Sequence, residues 1–173
     1  MNALARRQET ETLPAELERL FREHHGLVHR AAYRITGRAE DAEDVLQTLF
    51  MRLLRRVDSP DFSLNPKGYL HRAAVNISLD VIKSRRREVQ TEIESATPHD
   101  TGWEMQETIR RALAALHPKA AEIFVLRHVE GYGNGEIAKM IGTSASVIAV
   151  TLFRARLRLK REIRAELGRK GKP

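Results

Sequence analysis

The chain contains no cysteine, few aromatic residues and no long apolar run. Without cysteine, a disulfide framework, a thiolate zinc site and a cysteine nucleophile are all excluded. Aromatics at 5% argue against a large sheet, and 31% charged residues with abundant Ala, Leu, Arg and Glu favour an all-α protein. No stretch approaches the roughly 18 apolar residues of a membrane span. The N-terminal MNALARRQETETLPAE also lacks the apolar core of a signal peptide. No membrane insertion is therefore expected, and the expected location is cytoplasmic. Catalytic signatures are missing as well, with neither a nucleophile elbow nor an HExxH zinc motif. His25 and His29 have the i, i+4 spacing of a metal pair, with His24 beside them, but no third ligand accompanies them. GYGNG, residues 131–135, fits neither GxGxxG nor a P-loop and reads as a turn. No enzyme, cofactor or metal site is expected.

What the chain has in excess is positive charge, +7 overall with a pI near 10.1. Its distribution says more than its size. Residues 1–84 hold 13 Lys and Arg against 12 Asp and Glu, whereas residues 101–173 hold 14 against 7. The excess lies towards the C-terminal end, which points to a polyanionic partner there.

Apolar periodicity divides the chain into helices. From Pro14 to about Ile35, Leu17, Leu20, Phe21, Leu27, Val28 and Ala31 or Ala32 share a broad face, and Gly37 ends the pattern. Asp41–Arg56 is a second helix, with Val45, Leu46, Leu49, Phe50, Leu53 and Leu54 apolar and Asp41, Glu43 and Asp44 in its first turn, where carboxylates suit the helix dipole. Pro60 and Pro66 break the pattern over Ser59–Pro66. Gly68–Arg86 resumes it through Leu70, Ala73, Ala74, Ile77, Val81 and Ile82. Residues 87–102 are polar and aperiodic and read as a linker. The expected organisation is an all-α chain of two small helical domains, residues 14–86 and 103–167, joined by this linker.

The second domain carries the most informative stretch, residues 131–158. Ile137, Ala138 and Ile141 form one apolar face, Gly142 supplies a turn, and Thr143 or Ser144 can cap the next helix. Ile148, Leu152, Ala155 and Leu159 then recur as a buried stripe. Arg154, Arg156, Arg158, Lys160, Arg161 and Arg164 follow as a cation cluster suited to phosphates. Two short helices, a tight turn and a basic tail form the helix-turn-helix by which proteins enter the DNA major groove.

Three segments in order resemble bacterial RNA polymerase sigma factors of the extracytoplasmic-function (ECF) group, within the sigma-70 family. AEDAEDVLQTLFMRLLR (39–55) resembles the family's acidic helix, with Asp44, Gln47 and Phe50 in a D-x-x-Q-x-x-F pattern. NPKGYLHRAAVNISLDVIKSRRR (65–87) and LHPKAAEIFVLRHVEGYGNGEIAKMIGTSASVIAVTLFRARLRLK (116–160) resemble the segments that follow it. The resemblance implies an initiation factor that binds core RNA polymerase, directs it to promoter DNA and helps open the duplex, with an anti-sigma factor as a further partner. It implies polymerase docking through Asp41, Glu43, Asp44, Gln47 and Phe50. It implies minus-10 DNA contact through Asn65, Tyr69, His71, Arg72, Asn76, Lys83, Arg86 and Arg87, with Arg85 as a further cation of that cluster. Minus-35 contact would use Thr143, Ser144, Ser146, Thr151, Arg154 and Arg156. This chain departs from the family at Ala149, Val150, Thr151 and Phe153, where Lys, Arg or His are common, so base-edge hydrogen bonding is depleted. The alternatives are a stand-alone helix-turn-helix regulator, which would dimerise on a symmetric operator, and a helical adaptor with weak DNA contact. The acidic helix and the Asn65–Arg87 segment are unnecessary for a simple repressor.

Overall fold

Left-handed glycines and an N-terminal proline set the helix boundaries. Gly37, at φ +72, ends the first helix by donating its N–H to the Tyr33 carbonyl at 2.8 Å. Gly142, at φ +75, ends the sixth, and the amides of Gly142 and Thr143 both bond the Ala138 carbonyl at 2.9 Å. Only glycine adopts this conformation without steric cost. Pro118 opens the fifth helix, where its missing N–H costs nothing, and His117 Nδ1 accepts the Lys119 N–H at 3.3 Å.

The computed structural model describes residues 3–55, 65–91 and 101–170. Seven helices occur among them: α1 Ala3–Thr36, α2 Ala39–Arg55, α3 Pro66–Thr91, α4 Thr101–Ala114, α5 Pro118–His128, α6 Asn134–Ile141 and α7 Ala145–Lys170. No strand occurs among the described residues, and no single helix there is long and apolar enough to cross a membrane. α1 begins well before Pro14, because the preceding Ala, Leu, Arg, Gln and Glu residues favour helix without any apolar period. α3 likewise runs past Arg86 into the expected linker. Residues 59–64 of the expected break and 92–100 of the expected linker lie outside the described residues.

α1, α2 and the N-terminal half of α3 enclose one core of Leu17, Leu20, Val28, Ala31, Val45, Leu49, Phe50, Leu70, Ala74 and Ile77, among others. α4–α7 enclose a second core around Leu113, Leu116, Val125, Leu126, Ile137, Ile148 and Leu152. This second core is completed from across the chain by Ile35 of α1 and by Val75, Leu79 and Ile82 of α3. α3 therefore has two buried stripes, Leu70–Ala74–Ile77 and Val75–Leu79–Ile82, each at i, i+4, i+7 spacing, and it packs between the two domains. Phe21 and Leu54, expected to face inward, stand in solvent. Leu54 follows the buried Leu53 directly and so lies about 100° further round α2.

Leu79→Ala is expected to lower the unfolding free energy by about 2–5 kcal/mol, whereas Leu54→Ala should change it by no more than about 0.5 kcal/mol. Urea denaturation of the two variants would measure the contrast, and equal effects would contradict the two-sided burial of α3.

Candidate nucleic-acid interface

On α2 the acidic residues divide between two tasks. Asp41 turns inward to an ion pair with Arg85, whose Nη1 also donates to the Thr36 carbonyl at 3.4 Å, so this pair ties α1, α2 and α3 together. Glu43, Asp44 and Gln47 face solvent. Phe50 lies in the core, edge-on to Phe21 with ring centroids 5.0 Å apart. Of the expected docking set, Asp41 and Phe50 are thus engaged within the fold, while Glu43, Asp44 and Gln47 form an exposed polar face. Met51 and Leu54 extend that face at helical spacing as an exposed apolar continuation; the periodicity places Leu54 on the apolar face instead.

α3 starts on Asn65, whose Oδ1 accepts the Gly68 N–H at 2.8 Å. That bond caps the helix and occupies the acceptor side of the amide. One turn on, Tyr69 and Asn76 line a cavity of about 330 Å³ between α2 and α3, together with Leu49, Arg52, Leu53 and Ile77. Further along, Lys83 and Arg86 are partly exposed and Arg87 is exposed.

His71, Arg72 and Asn76 of α3 reach the C-terminal domain. Glu122 of α5 is buried, and its carboxylate accepts from Arg72 Nε at 2.5 Å and Asn76 Nδ2 at 3.1 Å, with Lys119 Nζ at 3.3 Å. Arg72 also donates to the Met140 carbonyl at 2.9 Å. Glu130, its side chain 1% exposed, receives His71 Nε2 at 2.5 Å and Arg34 Nη1 at 3.1 Å. His71 Nδ1 lies 2.6 Å from the Tyr132 hydroxyl. Gly131, at φ +82, is the turn that aims Glu130 and Tyr132 at the same imidazole, so GYGNG contributes a domain contact. Burial acts to raise the pKa of Glu122, but hydrogen bonds from Arg72 and Asn76 and the charges of Arg72 and Lys119 outweigh it and leave the carboxyl below its ordinary value. Burial acts on Glu130 in the same sense and is likewise overcome, by His71 and Arg34. Burial, with the charges of Glu130 and Glu136, raises Tyr132, which keeps its proton to donate.

In the helix-turn-helix, α6 packs Ile137 and Ala138 inward, and α7 does the same with Ile148, Leu152, Ala155 and Leu159. Ser144 caps α7, its Oγ accepting the Val147 N–H at 3.3 Å. Thr151 Oγ1 donates to the Val147 carbonyl at 2.8 Å. Thr143, Ser146 and Arg154 are exposed. Arg156 reaches instead to His128 Nε2 at 3.3 Å. Burial, with Arg156 and Arg127 nearby, lowers the pKa of His128 and keeps that nitrogen an acceptor.

Residues 20–88 match the family Sigma-70 region 2, and residues 106–159 match Sigma-70, region 4. The ECF RNA polymerase sigma factor SigM of Mycobacterium tuberculosis is 31% identical over 148 residues, covering 83% of this chain and 75% of that protein. The chain belongs to the ECF sigma factors. RNA polymerase sigma-E factor of Streptomyces coelicolor is also 31% identical, over 152 residues and 86% of each chain. The sigma factor RpoE of Bartonella quintana, solved with the anti-sigma factor NepR, shares the fold at a TM-score of 0.51 and 23% identity, covering 86% of this chain and 97% of that one. As an ECF sigma factor, the protein binds core RNA polymerase and directs it to specific promoters to initiate transcription, without catalysis of its own.

The depressed carboxyls set a pH dependence. Each stabilises the fold above the ordinary glutamate value of 4.5, and that stabilisation is lost as pH falls through the depressed folded value. The stability advantage of the native protein over the Glu122→Gln/Glu130→Gln variant should therefore stay flat from neutral pH down to the ordinary glutamate range and narrow only below it. Urea unfolding across pH would read this, and narrowing that begins above pH ~6, well outside the carboxylate range, would contradict the assignment to Glu122 and Glu130.

Proposed function

We propose that three surfaces divide the initiation task along the chain. The exposed stripe of Glu43, Asp44 and Gln47 on α2 docks on the clamp helices of the polymerase large subunit, with Met51 and Leu54 as its apolar continuation. The α2–α3 cavity receives an unstacked base of the minus-10 element. Tyr69 offers an aromatic face there and Asn76 an amide for the base edge, while Lys83, Arg86 and Arg87 track the displaced strand. The helix-turn-helix meets the minus-35 element with Ser146, Arg154 and the Thr143–Ser144 turn. The observation that carries this reading is the cavity, which joins an aromatic ring and an amide on a helix rich in cations further along.

His71, Arg72 and Asn76 are engaged by Glu122 and Glu130, so promoter contact through them requires the C-terminal domain to move off α3. The domains, residues 14–86 and 103–167, separate about the 87–102 linker when polymerase takes up the two surfaces. An anti-sigma factor that holds them together would keep the protein inactive. The site of action is the cytoplasm, with the polymerase.

Reconstituted transcription with core polymerase on promoter fragments should give new start sites with two spaced upstream elements. Asp44→Ala/Gln47→Ala should weaken polymerase binding at least tenfold with unchanged helicity and melting. Undiminished affinity in a binding titration would remove docking from this face of α2. Separately, Glu122→Gln/Glu130→Gln should increase the distance between fluorophores on the two domains, and an unchanged distance would show that these carboxylates do not hold the closed arrangement.

A further inference from the structure

The first two and a half turns of α7, Ala145–Phe153, carry no charged or amide side chain. Val147, Val150 and Phe153 stand 51%, 49% and 61% exposed, and Leu157 continues the ridge at 57%. Val150, Phe153 and Leu157 recur at i, i+3, i+7 directly opposite the buried Ile148–Leu152–Ala155–Leu159 stripe. The hydroxyls nearby are largely committed, because Ser144 caps the helix and Thr151 bonds the Val147 carbonyl. Only Ser146 keeps a hydroxyl on the outward face. The first cation of the helix is Arg154, and Arg158 and Arg161 follow on the same flank.

A base edge in the major groove offers hydrogen-bond donors, hydrogen-bond acceptors and the thymine methyl. Side chains without donors or acceptors discriminate only the last of these. The N-terminal turns of a recognition helix are the part that reaches base edges, and here that part is apolar, with its phosphate-binding charge set further back. We propose that Val150 and Phe153 are the specificity-determining residues of α7 and select the minus-35 element through the C5-methyl groups of its thymines. This rests on the promoter-binding reading of α7. A protein partner is the other candidate for the ridge, but the arginines along its flank favour a polyanion that presents methyl groups between phosphates.

The test uses the full chain bound to core polymerase. Duplexes are selected from a random pool, and each thymine of the upstream element is then replaced singly by deoxyuridine. That replacement removes the methyl and keeps every hydrogen-bonding group. At contacted positions affinity should fall about fourfold per methyl. Val150→Ala/Phe153→Ala, at exposed positions where alanine is a better helix former, should bind the thymine duplex more weakly and bind the thymine and uracil duplexes equally. If uracil duplexes bind the native complex as tightly as thymine duplexes, the methyl reading is overturned. If the double variant loses transcription while its DNA affinity is unchanged, the ridge is a protein contact and the proposal also fails. Arg154→Ala separates this from failure of the underlying reading: weaker binding with a flatter salt dependence keeps α7 on DNA, and no change removes it from DNA.

Discussion

Burial of α3 on two faces is the constraint from which the rest follows. Leu70, Ala74 and Ile77 close the N-terminal core, while Val75, Leu79 and Ile82 close the C-terminal one. Between these stripes runs the polar edge of His71, Arg72 and Asn76. A helix with apolar contacts on either side of a polar edge brings that edge to the seam between its neighbours, and there His71, Glu122 and Glu130 are buried. Charges brought there must be paired, since an isolated buried charge costs several kcal/mol. Glu122 and Glu130 answer this need from one side and Arg72, His71 and Arg34 from the other.

Under the proposed opening, such a seam has two arrangements to compare. Closed, each carboxylate is held by two or more partners, and Val75, Leu79, Ile82 and Ile35 are out of water. Separated, Glu122 and Glu130 give up the hydrogen bonds and charges that hold their carboxyls below the ordinary value. What resists opening is then the apolar stripe together with these pairs, and the charge pattern also makes closure selective, since a mismatched register would strand Glu122 or Glu130 in the interior. The groups freed by opening are three of those whose residue types suit an unpaired strand. Under the proposed function, one set of side chains thus has two alternative partners, with carboxylates in the closed state and nucleotides in the open one.

The legibility of the chain follows from the same physics. The helix-turn-helix was readable because Gly142 and the Ile148–Leu152–Ala155–Leu159 stripe are local signals that need no partner. The second stripe of α3 was not, since Val75 and Leu79 fall off the face that periodicity picks out first, and a single-face reading treats them as surface. His71, Arg72 and Asn76 have the same composition whether they meet DNA or the glutamates of another domain, so only the fold could bring out their present partners. Asn65 directly before Pro66 was a cap signal outweighed by the polar role suggested for it, and Asp41 and Arg85, 44 positions apart in the chain, give no local sign of pairing. Leu54 and Phe21 were counted inward because a wide apolar face does not mark its own edge.

The helix-turn-helix adds a separation of roles along one element. In α7 the turns nearest the tight turn are apolar and outward-facing, while the cations begin at Arg154. Phosphate attraction is long-ranged and tolerant of register, so it serves from further along the helix. Methyl contact is short-ranged and demands that the helix tip be seated. On the proposed reading, affinity and selectivity reside in different turns of the same helix, and with Ser144 and Thr151 bonded to backbone, Ser146 keeps the outward hydroxyl at its start. Because Arg156 is drawn aside to His128, the charge that remains towards DNA lies mainly on the Arg154–Arg158–Arg161 flank. On the proposed reading, the duplex is held along one strand's phosphates while the ridge enters the groove beside it.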